Sequence, residues 1–190
     1  MRYNSSQTKV RGKSKGGIFQ RWRSFFAQLS GAALHQPRFP IQQVAFSYIS
    51  SFIGIAALAY LSVNTEYPLI AAPFGATAVL AYGVPSSPLA QPRNIIGGNF
   101  MGAISGIVAF QLFGDAPWVM ALAVATAIKL MQLTKTVHPP GGAVALVSVM
   151  SHATWTFLGT PILVGSIIIV LWTYAFCKIV PGRPYPRHWF

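Results

Sequence analysis

The chain has 190 residues, of which 53% are hydrophobic and only 8% charged, and its formal charge is +12. A soluble domain normally carries about a quarter charged residues to cover its surface, so a soluble globular fold is excluded and a membrane protein expected. Only Glu66 and Asp115 are acidic, both at predicted loop ends, so a carboxylate pair or a nucleophile-base-acid triad is not offered, and no enzyme activity is expected.

The basic residues lie in an N-terminal tail and at segment ends, eight of the 14 before Val44, with no folded basic face for nucleic acid. Cys177 is a single cysteine, and no His, Cys and carboxylate spacing matches a metal site. Neither metal nor cofactor is expected.

Residues 1–17 are polar, basic and glycine-rich and should be disordered. Ile18, Phe19, Trp22, Phe25, Phe26 and Leu29 then recur at helical spacing, with Arg21 and Arg23 largely opposite. This predicts an amphipathic helix lying in an anionic leaflet; packing against the protein itself is the alternative. Residues 1–40 thus form a basic cytoplasmic tail with an interfacial helix. Six apolar segments follow, at about 44–63, 68–84, 95–113, 118–133, 141–157 and 161–178. Residues 181–190 are a basic tail. With a cytoplasmic N-terminus, Arg93, Lys129, Lys135, Lys178, Arg183 and Arg187 all fall on or near that side. Six crossings with both termini cytoplasmic satisfy the charge rule. Fewer crossings, with re-entrant half-helices opened by Pro73 or Pro140, remain compatible with it.

Pro73-Phe-Gly-Ala-Thr-Ala-Val-Leu80 resembles Pro140-Gly-Gly-Ala-Val-Ala-Leu-Val147 at an offset of 67 residues. Each stretch lies in the middle segment of a set of three, so the halves, about 44–113 and 117–178, should be inverted repeats. The expected fold is all-α and polytopic, with two inverted three-segment repeats and broken middle helices. Such repeats place transporter substrates near the membrane midplane. A proline-led helix start exposes amides without intrahelical acceptors, together with about half a positive charge. The amides of Gly75, Ala76 and Thr77, facing those of Gly141, Gly142 and Ala143, would suit a small anion. Close helix packing is the competing role for these glycines, and the preferred one for Gly98, Gly102 and Gly106.

Two long motifs, Ala72–Gly98 and Lys135–Leu146, resemble the HPP family of membrane proteins, named for the tripeptide present here at His138-Pro139-Pro140. The resemblance covers about residues 44–178 and marks 41–180 as the transmembrane domain. It implies nitrite as the anion, since plastid and cyanobacterial members are associated with nitrite transport. Some members carry a soluble regulatory CBS-type tail; this chain ends at Phe190 without one, so regulation of that type is expected to be absent. With no transit peptide apparent, a bacterial plasma membrane is expected.

His138 could bind the anion, couple transport to a proton, or cap the preceding helix. Lys129 could attract the anion from within its helix or snorkel to the surface. Thr77, Thr136 and Asn99 could donate hydrogen bonds to an oxyanion or bridge helices. Ser86, Ser87, Gln91 and Arg93 are expected to shape a cytoplasmic loop or gate. A homodimer or small oligomer is expected, with the glycine ladder around Gly102 as one seam. A channel, or a non-transporting scaffold or sensor, would fit the same layout.

Overall fold

Helix α1, Ile18–Gly31, forms where the apolar residues recur at helical spacing. Trp22, Phe25 and Phe26 cluster along it, with ring centroids 5.8 to 6.2 Å apart. The computed structural model describes residues 18–31, 38–64 and 72–189. The disorder expected for residues 1–17 and the start of the second segment at 68–71 lie outside the described residues. The chain divides into two units, Met1–Phe39 and Pro40–Phe190.

The second unit is helical among its described residues. It contains α2 (Ile41–Asn64), α3 (Ala72–Ala78, running on as a π turn Val79–Gly83), α4 (Pro92–Phe113), α5 (Pro117–Leu133), α6 (Pro139–Met150) and α7 (Trp155–Ile179). Helices α4, α5 and α6 each carry proline in the first turn, where its missing N–H would have no acceptor. Helix α4 stops at Gly114, whose φ of 78° turns the chain while its amide bonds the Phe110 carbonyl at 2.8 Å.

Helices α5 and α6 stop in the same way but without glycine. Lys135 (φ 57°) and His152 (φ 50°) take left-handed conformations, and the next amides close back on Met131 and Ser148, both at 2.9 Å. The His152 stop ends the fifth segment at Met150, so Trp155–Phe157 belong to the last span and not to the fifth as expected. Pro161 lies inside that last span rather than opening it. Its missing N–H coincides with a π-type opening over Leu158–Leu163, and Thr160 is extended.

The apolar windows of α2, α4 and α7 run for 23, 22 and 25 residues, enough to cross a membrane. Helix α6, with 12 residues, is about 18 Å long, well short of a hydrocarbon core of about 30 Å. Helix α3 with its π turn, Ala72–Gly83, has the same length, and its ends precede those of α6 by 67 residues. The two matched sequences therefore form elements of equal length and equal register.

Helix α4 is the centre of the unit. Its ladder Gly98, Gly102 and Gly106 lies directly on α6: a methyl group at these positions would overlap the His138 side chain, the Gly141 carbonyl and the Ala145 carbonyl. The ladder expected to serve as a seam for self-association is thus filled within the chain. Residues 181–189 are not a loose tail. Buried Arg183 donates to the carbonyls of Tyr82 (2.9 Å) and Gln43 (2.8 Å), and the amides of Arg187 and His188 donate to Gln91 Oε1.

Candidate functional site

The first turn of α6 meets the second turn of α3 inside the unit. His138, the residue before α6, is fully buried, and its Nε2 lies 3.0 Å from the Thr77 hydroxyl. Its Nδ1 lies 2.8 Å from the Leu89 carbonyl, which only accepts, so Nδ1 carries a proton. With the ring neutral, Nε2 accepts from Thr77, whose oxygen also stands 3.3 Å from the Pro73 carbonyl. One imidazole therefore links α3, the proline-rich turn and the start of α6.

Asn99 follows Gly98, which abuts both His138 and Gly141, and so sits at the level of this junction. It is fully buried and donates from Nδ2 to Ser166 Oγ on α7 at 3.0 Å. Asn99 Oδ1 has no hydrogen-bond partner among the described residues. Thr77 with His138 and Asn99 with Ser166 thus form two buried polar contacts, on elements that Gly98 packs closely together.

The remaining expected site residues are placed differently. Gly75 and Ala76 are exposed, and nothing lies within 4 Å of a methyl group built on Gly75. Gly142 and Ala143 are half-buried, and a methyl on Gly142 would touch only Val124, at 3.9 Å. The Gly141 amide is not bare as expected. Helix α6 begins one residue earlier than Pro140, so Gly141 is its third residue and bonds the His138 carbonyl at 2.9 Å. Thr136 is buried against Gly97, its hydroxyl 2.7 Å from that of Thr134. Lys129 is exposed on α5.

The turn before α4 is tied down from several directions. Gln91 Nε2 donates to the carbonyls of Pro85 and Ser87, Arg93 to Thr134, and Asn94 to Val137. The Arg93 and Asn94 hydrogen bonds tie the turn to the α5–α6 connection. At the opposite end of α6, Ser151, His152, Thr154, Thr156 and Thr160 line an open depression of about 840 Å³. There His152 bonds Asp115 at 3.0 Å and stacks on Phe110. Neither Ser166 nor Arg183 stood out as a site residue in the sequence. Ser166 had one signal: it lies 67 residues from Asn99, the offset of the repeat.

Residues 36–186 match the HPP family's transmembrane region. The chain belongs to the HPP transmembrane family. Two transmembrane proteins of Dictyostelium discoideum are each 36% identical to it, over 162 and 178 residues, or 79% and 87% of this chain. The chain spans 57% of the length of each. No solved structure matches it. As an HPP protein it is an integral membrane protein, which accords with its long apolar helices.

Proposed function

We propose that this HPP protein carries a small monovalent anion, nitrite first, across the membrane by alternating access between two inverted halves. The observation that supports this most is the meeting of α3 and α6 at Thr77 and His138. Two short proline-led helices, equal in length and register, come together through a buried polar contact inside an apolar bundle. A helix start favours negative charge, and the start of α6 lies at this meeting. The half-buried turn at Gly142 and Ala143, with room beside Gly142, is where the anion would approach the backbone. The open depression beyond the far end of α6, which carries four hydroxyl residues on a mostly apolar surface, would serve as an outer mouth. In this scheme both termini are cytoplasmic and Lys129 raises the local anion concentration. The His138 bridge holds one of the alternating states.

Uptake into proteoliposomes of nitrite, against nitrate, formate and chloride, tests the scheme. Saturable nitrite uptake is expected, lost in Gly142→Val with membrane insertion intact. Lys129→Gln should weaken anion affinity more than Lys135→Gln. A purified protein that moves none of the four anions would refute the transport function.

A further inference from the structure

Asn99 and Ser166 stand at the offset, 67 residues, that superimposes the two repeats, and they touch each other. Equivalent positions of two halves that meet face to face lie beside the axis relating those halves. Both residues are fully buried, on helices long enough to span the membrane. The pair is also incompletely bonded: its one contact uses Asn99 Nδ2, and Asn99 Oδ1 is left without a partner among the described residues. Buried polar groups are nearly always paired, and an ion or water to be received is one physical reason for an exception.

We propose that the Asn99–Ser166 pair is the central contact for the transported anion, a reading that rests on the transport function above. Its chemistry is a hydrogen-bond inversion. A serine hydroxyl both donates and accepts, and a carboxamide has one face of each kind. Turning the Asn99 amide by a half-rotation lets Oδ1 accept from Ser166 and points Nδ2–H into the position Oδ1 now occupies. The anion is then met by N–H donors without any fixed positive charge to trap it. A neutral site of this kind tolerates one negative charge far better than two. The class of substrate is therefore a small monovalent oxyanion, and sulfate should not compete.

The test is nitrite uptake by proteoliposomes of the full chain and its Ser166→Ala, Ser166→Cys and Asn99→Ala variants, with melting temperatures measured in detergent. Asn99→Ala should raise KM for nitrite about tenfold, the usual effect of losing one hydrogen bond to a charged group, and leave Vmax within about twofold. Ser166→Ala and Ser166→Cys should raise KM as well, by loosening the hold on the turned amide, and the Asn99→Ala/Ser166→Ala double variant should do little more harm than Asn99→Ala, because Ser166 acts on the ion only through Asn99. An unchanged KM with a lowered melting temperature would make the pair a structural bridge and overturn the proposal, while the transport function stood. A shift in dependence on sodium, rather than on nitrite, would equally overturn it. Absence of uptake by the unsubstituted protein would remove the transport function itself.

Discussion

At the residue scale, His138 joins three elements with one ring, and each bond has a different cost of removal. Thr77→Val deletes a hydroxyl that bridges two helices, and should lower stability by about 1 kcal/mol, the usual worth of such a bond in a membrane bundle. His138→Ala also leaves the Leu89 carbonyl unpaired and should cost more, about 1–3 kcal/mol. Unfolding of both variants in detergent should rank them in that order; the reverse order would mean that the Leu89 bond contributes little. Lys135 carries strain of the opposite sense. A lysine at φ 57° has its Cβ crowded by the backbone, which glycine avoids. Lys135→Gly should therefore raise stability by about 1 kcal/mol. An unchanged midpoint in the same unfolding measurement would show that the lysine side chain makes a compensating contact.

At the scale of elements, the α4–α6 contact is the tightest in the unit, because glycine meets backbone rather than side chain. Gly102→Ala places a methyl group on the Gly141 carbonyl, which cannot swing aside as a side chain would. It should cost about 1–3 kcal/mol, as overpacking does, and reduce the yield of folded protein. Gly75→Ala, at an open position on α3, should be neutral or stabilising by about 0.5–1 kcal/mol through helix propensity. Size-exclusion profiles and melting curves of the two variants would reveal the contrast. Equal behaviour would mean that α4 and α6 are not in close contact.

At the scale of the whole second unit, residues 181–189 return from the end of α7 to the first half of the chain. Arg183 holds the carbonyl of Tyr82, at the C-terminal end of the π turn, together with Gln43 and Ser47 on α2. Cationic groups are favoured at helix C-termini, where the unpaired carbonyls lie. Burial pushes the Arg183 pKa down from its ordinary value, with Cys177 acting the other way, but a guanidinium keeps its charge throughout the physiological range. Arg183→Gln should destabilise by about 1.5–3 kcal/mol through lost charge-assisted bonds. Arg183→Lys should rescue little, because an ammonium lacks the planar fork that reaches these acceptors together. Limited proteolysis should cleave both variants within residues 181–189 sooner than the unsubstituted protein. Equal protection would locate the anchor in Gln91 and the Arg187 and His188 amides instead.

The sequence by itself determined the membrane setting, the apolar segments, the matched middle elements and the family. Hydrophobicity and proline act locally, so they can be read without knowing what lies across the bundle. The proline-rich turn and the packing role of Gly98, Gly102 and Gly106 were legible for the same reason: their constraints show in spacing and residue type. Only the tertiary structure decided which faces meet. It buried Thr77 against His138, left Gly75 and Ala76 exposed, paired the Gly141 amide with the His138 carbonyl, and drew Ser166 to a buried Asn99. It also turned a basic terminus into a buried clamp through Arg183. Which side of a helix is covered depends on partners distant in the chain, and an apolar helix with polar residues on no consistent face carries little local record of that choice.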